Sequence, residues 1–84
     1  MDKIYKLKDL TVVHPYENEV GTVRKTLVHH KGNFYIVSEN TVLVETLIFP
    51  ATPTGETLDW SEVGGGQGLT SEQVLEDFEN YLYG

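Results

Sequence analysis

The sequence predicts an α+β domain: a small antiparallel sheet of three to four strands, arranged as a meander, with one C-terminal α-helix packed on one face. Three observations carry that expectation. Apolar residues fill both faces of an extended segment from Thr41 to Phe49, short polar turns separate consecutive stretches of strand character, and helical periodicity begins only after residue 69. At 84 residues the chain is expected to form a single domain, 1–84, with a small core.

In chain order, Lys3–Lys8 alternates loosely and suits a short edge strand whose lysines discourage further pairing. Leu10–His14, with Val12 and Val13, continues or restarts it. His14-Pro15-Tyr16-Glu17-Asn18 reads as a turn, because proline fixes its own φ and biases His14 toward an extended backbone. Strand character returns over Val20–His30. Val23, Leu27 and His29 share one face there, and Thr22, Arg24, Thr26, Val28 and His30 share the other. Lys31-Gly32-Asn33 suits a tight hairpin with a left-handed residue, and Phe34–Ser38 is its return strand. Glu39-Asn40 reads as a two-residue turn into the central strand.

That central strand places Val42, Val44, Thr46 and Ile48 on one side and Leu43, Glu45, Leu47 and Phe49 on the other. Pro50 and Pro53, which cannot donate to a ladder, are expected to end it. Thr54-Gly55-Glu56 forms a turn, and Leu58 and Trp60 bring apolar bulk back to the core. The glycines of 64–68 predict a flexible loop, since glycine loses the most entropy on ordering. A helix over 70–83 follows. Thr70 at the N-cap and Gln73 at N3 form a capping box, and Leu69 and Val74 form a hydrophobic staple. Val74, Leu75, Phe78, Tyr81 and Leu82 make its apolar stripe, opposite Glu72, Glu76 and Glu79. One helix covers only one face of a two-faced strand, so a homodimer is expected to cover the other.

Charge is strongly segregated. Six basic and four acidic residues lie at or before Lys31, giving +2, and nine acids with no Lys or Arg follow, for a net charge of −7. Such an imbalance speaks to partners and solubility. It disfavours direct nucleic-acid binding, which needs clustered Lys and Arg, and fits an acidic surface that meets a basic partner. With no cysteine there is neither a disulfide framework nor a thiolate metal site. No apolar run resembles a signal peptide or a membrane span.

No catalytic constellation emerges, and no cofactor is expected. His29 and His30 are adjacent on a strand and face opposite ways, so they do not chelate one ion without distortion. His14 could join either beside a carboxylate, which leaves a metal- or small-ligand-dependent enzyme as an alternative. No Gly-x-Ser-x-Gly elbow is present. The glycine-rich stretch lacks the lysine of a phosphate loop and is flanked by Glu62 and Glu72. Asp59, Trp60, Glu62, Glu72, Glu76, Glu79 and Tyr83 are the candidate partner-binding residues. Trp60 also reads as a core plug, whereas Tyr83 lies off the helical stripe.

The run Glu45-Thr46-Leu47-Ile48-Phe49-Pro50, then Gly55-Glu56-Thr57-Leu58-Asp59-Trp60-Ser61-Glu62-Val63, a Gly-rich step and a Ser/Thr-Glu helix start, resembles a group of short, uncharacterised bacteriophage proteins. Those carry a Glu-Thr-(Met/Leu)-(Val/Ile)-Phe strand, a Gly-containing turn and Asp-Trp before an acidic C-terminal helix. The resemblance covers the second half of the chain and brings no catalytic residues. It implies a phage accessory protein in the cytoplasm of the bacterial host. The expected function is non-enzymatic binding and modulation of a host or anti-phage-defence protein with a basic surface. A minor structural or assembly component of the virion is the other alternative.

Overall fold

The computed structural model describes the backbone of Lys6–Leu7 and Leu10–His14, and all of residues 23–59 and 61–83. The expected turn at 14–18, apart from His14, and Trp60 lie outside the described residues. The fold is α+β. Strands β1 (Lys6–Leu7), β2 (Leu10–His14), β3 (Val23–His30), β4 (Asn33–Asn40), β5 (Glu45–Ala51) and β6 (Gly64–Gln67) form one antiparallel sheet in sequence order. Helices α1 (Ser71–Glu76) and α2 (Phe78–Tyr81) follow.

The β3–β4 hairpin turns on Lys31 and Gly32, with φ of 48° and 83°, between the paired residues His30 and Asn33. Two positive φ values match the turn to the right-handed twist of its strands. The register aligns Thr26, Val37 and Ile48 on one face and Leu27, Ile36 and Phe49 on the other. This is the division expected from the alternation in β3. The helices close the first face: Val28, Val37 and Ile48 are buried against Val74, Leu75 and Phe78, with Tyr81 and Leu82 packed alongside. Burying each of these large apolar side chains contributes about 1.5–3 kcal/mol.

The central strand begins later than the apolar run predicts. Residues 41–44 form a four-residue turn, and β4 extends through Asn40, which pairs with Glu45. Asn40 is the cause, because its Oδ1 accepts hydrogen bonds from Val42 N (3.1 Å) and Leu43 N (3.0 Å) and folds the chain back on itself. Val44 takes φ of 51°. A β-branched residue there is strained, by about 1–3 kcal/mol.

Pro50 does not end the strand. Its carbonyl accepts Leu58 N at 2.9 Å on the side away from β4, so the missing N–H also faces away from the β4–β5 ladder. The expected turn forms at Gly55, whose N–H donates to Thr52 O at 3.0 Å. Leu58, expected in the core, is exposed. Its segment is held along β5 by the Pro50 bond and an Ala51–Thr57 bridge, which spends the backbone there and leaves the side chain outside.

The second sheet face does not need another molecule. Leu27, Ile36, Phe49 and Ala51 are buried within the single chain. The loop after β5 lies over them, close enough that a Cβ at Gly55 would contact Leu27 Cδ2 at 3.7 Å.

The glycine stretch is a strand. Residues Gly64–Gln67 pair with Ile48–Glu45, and the packing admits no Cβ at Gly64 or Gly65. A Cβ at Gly64 would overlap Tyr81 O and stand 2.8 Å from Ile48 Cδ1; one at Gly65 would overlap Thr46 O and stand 2.8 Å from Leu47 Cα. Glycine's entropic cost is the condition for bringing β6 this close.

The helix expected over 70–83 starts as read and breaks early. Thr70 Oγ1 accepts Gln73 N (3.2 Å), and Gln73 Oε1 accepts Thr70 N (2.9 Å), completing the capping box. At Asp77 the backbone leaves the helical region, with φ −138° and ψ 44°. Its carboxylate accepts Asn80 Nδ2 through both oxygens, at 2.7 and 2.8 Å. Local side-chain bonding competes with the helix ladder, and no basic residue complements the C-terminal dipole of α1. After α2, Leu82 bridges to Gly64 and Tyr83 N donates to Val63 O at 2.8 Å.

Candidate functional site

The candidate residues fall in two places. Glu72 and Glu76 are exposed on the outer face of α1, one helical turn apart. Glu79, on α2, is ion-paired with Lys31 of the β3–β4 turn, so it is partly neutralised. The sequence places Glu79 among the outer acids of the helix, but nothing in the chain order indicates that the hairpin tip at Lys31 reaches α2. Val74, Leu75 and Phe78 hold the opposite sides of both helices on the sheet, which fixes the acids outward.

Glu62 and Tyr83 meet at the other place. The Tyr83 hydroxyl donates to Glu62 Oε2 at 2.6 Å. That bond, with lesser contributions from desolvation and the charges of Glu62 and Glu45, raises the tyrosine pKa above its ordinary value. Asp59 is exposed nearby in sequence, and its Oδ1 accepts Ser61 N at 2.9 Å, closing a turn. Tyr83 borders an open groove of about 370 Å³ lined by Tyr35, Pro50, Leu58, Val63 and Leu82 among others. The groove was not anticipated, because its walls come from β4, the end of β5, the segment carrying Leu58 and Val63, and Leu82–Tyr83, which only the folded sheet brings together.

The histidines diverge as their adjacency predicts. His29 stacks on Phe34 at 4.6 Å between ring centroids on the second face, and His30 is buried against Phe78 at 5.2 Å under the helices. His14 ends β2 opposite Leu27. Among the described residues, no group of three or more His, Asp or Glu side chains is arranged to hold a metal ion.

Among the described residues one acid is internal. Glu39, buried beneath α1, accepts a hydrogen bond from Ser71 Oγ at 2.9 Å. Ser71 is equally enclosed, so the pair anchors the helix and is closed to substrate. No helix among the described residues is long and apolar enough to cross a membrane. Neither a protein-family model, nor a curated protein, nor a solved structure matches this chain. The fold therefore defines its class, a small α+β domain built on an antiparallel meander.

Proposed function

We propose that this protein is a non-enzymatic interaction module that uses the acidic outer face of α1 to engage a partner protein with a basic surface. The observation that carries this is the pair Glu72 and Glu76, exposed at i and i+4 on one face. Like charges so placed cost an isolated helix roughly 0.2–0.5 kcal/mol. A basic partner surface turns that cost into attraction and raises the association rate. The likeness of the second half to short phage proteins supports a phage accessory role, acting on a host or defence protein in the bacterial cytoplasm.

Affinity capture from bacterial lysate tests it, comparing the native protein with a Glu72→Lys/Glu76→Lys variant. Glu79 is left in place because it is tied to Lys31. A partner retained by the native protein and lost by the variant is the expected result. Equal capture by both would sink the reading. A second reading, an assembly component of a virion, draws support from a different observation: the large apolar side chains left exposed gather at two ends of the sheet.

A further inference from the structure

Of the large apolar side chains exposed among the described residues, Val42, Leu43 and Val44 form the tip of the β4–β5 turn. Leu58 (67%) and Tyr83 (58%) stand at the other end of the same two strands, where the groove lies beside the Tyr35–Pro50 and Phe34–Ala51 pairs. The groove joins apolar walls to an acidic rim.

The walls include Phe34, Tyr35 and Tyr83 together with Leu58, Val63 and Leu82. At about 370 Å³ the groove lies toward the small end of ligand sites, which run from about 300 to 1,000 Å³, so it takes a short segment and not a globular surface. The main chain around it is already engaged: Leu58 N donates to Pro50 O, Tyr83 N donates to Val63 O, and Ala51 bridges to Thr57. Those groups are not offered to an added strand, so recognition falls to side chains.

On the rim, a carboxylate is held in place. The Tyr83 hydroxyl donates to Glu62 Oε2 at 2.6 Å, which keeps Glu62 beside a wall residue and occupies one of its two oxygens. Asp59, next to Leu58, is also exposed and gives Oδ1 to Ser61 N. Every wall residue comes from the part of the chain after Lys31, which holds no Lys or Arg. Lys31 itself is paired with Glu79. The charge complement of this rim is a cation.

We infer that the groove is a docking site for an arginine-bearing apolar segment of a partner protein, the guanidinium meeting Glu62 beside the Tyr83 ring and a neighbouring apolar side chain resting among Leu58, Val63 and Leu82. Arginine fits better than lysine, because its guanidinium is planar, more weakly hydrated than an ammonium, and able to stack on an aromatic face while donating to a carboxylate. A donor that reaches Glu62 comes close to the tyrosine that holds Glu62, so both contacts form together. A second copy of this chain is the poorer occupant, since Arg24 is its only arginine and is already engaged within the chain. Acids on the rim repel phosphate, which sets nucleic acid and anionic lipid aside. The site is separate from Glu72 and Glu76 of α1 and stands independently of their partner.

NMR titration of the isotope-labelled protein with the peptide acetyl-Leu-Arg-Leu-amide tests this. Two controls accompany it: the same peptide with citrulline, a neutral isostere, replacing arginine, and acetyl-Gly-Arg-Gly-amide, which lacks the apolar half. Saturable shifts at the amides of Val63, Leu82 and Tyr83 are expected with the first peptide. Affinity should be about three- to tenfold weaker for each control, and for Glu62→Gln with the first peptide. Tyr83→Phe, which keeps the ring and releases Glu62, is a second variant and should fall between native and Glu62→Gln. Glu72→Lys/Glu76→Lys should bind the first peptide within about twofold of native at physiological ionic strength, where distant surface charges are screened. No saturable shift with the arginine peptide overturns the inference. So does equal affinity for either control peptide, or shifts confined to Glu72 and Glu76, which put the cation on α1.

Discussion

Replacing Gly65 by alanine probes the least expected element of the fold, the strand made of glycines. The local geometry separates two costs that usually arrive together. At Gly68, φ is 76° and a Cβ would meet nothing within 4 Å. Alanine there bears only the left-handed penalty of about 1–2 kcal/mol, offset by the roughly 0.4–1 kcal/mol gained through a less disordered unfolded chain. The net loss is about 0–1.5 kcal/mol. At Gly65, φ is 99° and the added carbon overlaps Thr46 O and crowds Leu47 Cα at 2.8 Å. Both are backbone atoms of β5 and cannot rotate away. Overpacking of this kind costs a further 1–3 kcal/mol or so, bringing the expected loss to about 2–4 kcal/mol. A chain of 84 residues has roughly 4–13 kcal/mol in total, so that is a large share. Gly66 is the control. It lacks a positive φ, and its nearest contact is the movable Leu69 Cδ1 at 3.4 Å. Alanine there should be neutral or stabilising by up to about 1 kcal/mol. Urea denaturation should rank the midpoints Gly66→Ala at or above native, then Gly68→Ala, then Gly65→Ala well below. Equal midpoints for Gly65→Ala and Gly68→Ala would refute the close pairing of β5 and β6.

Thr26 and Tyr83 give two further expectations. Thr26 Oγ1 is buried without a hydrogen-bond partner, and an unsatisfied hydroxyl costs about 1–3 kcal/mol; Thr26→Val should therefore raise the thermal midpoint, and a lowered one would show that the hydroxyl is satisfied in solution. The raised pKa of Tyr83 follows from donating to Glu62. Its contribution to stability is then complete below the ordinary tyrosine pKa of about 10 and is lost as pH rises through the elevated value. Glu62→Gln should shift the ionisation of Tyr83, followed by NMR, back toward lower pH; an unmoved titration would place the cause elsewhere.

The parts of the fold legible in the sequence are those specified within a few residues. The Lys31-Gly32 hairpin, the face alternation of Leu27 and Val28, the Thr70–Gln73 capping box and the apolar stripe from Val74 to Leu82 all rest on local chemistry. The misread parts depended on distant neighbours. An apolar run from Val42 to Val44 looks the same whether buried or displayed, and only Asn40 signalled a turn, through side-chain acceptance that position alone did not reveal. Consecutive glycines signify disorder unless another backbone lies against them, here those of Thr46 and Tyr81. The candidate site divides the same way. Glu72 and Glu76 were legible from helical spacing, whereas the pairing of Glu79 with Lys31 and the groove beside Tyr83 exist only once the sheet is assembled.

Four successive residues explain why the tip and the helix are positioned together. Gly68 N binds Val44 O at 2.6 Å, and Leu69 O accepts Thr46 Oγ1 at 2.8 Å. Thr70 caps α1, and Ser71 Oγ binds the buried Glu39 at 2.9 Å. Residues 68–71 thus cross from the β4–β5 turn to the helix start, tied at three of four positions to β4, to β5 or to the turn between them. At the buried Ser71–Glu39 pair a polar group left unpaired carries its full desolvation cost, which makes that bond the anchor of the strap. The left-handed Gly68 is what lets the chain leave β6 and make the first of these bonds. Strain at Val44 is consequently not relieved by the tip drifting open, because opening would forfeit the bond that also aligns β6 with α1. The acidic face and the apolar tip are displayed from one rigid frame, and a change that loosens the strap should weaken both.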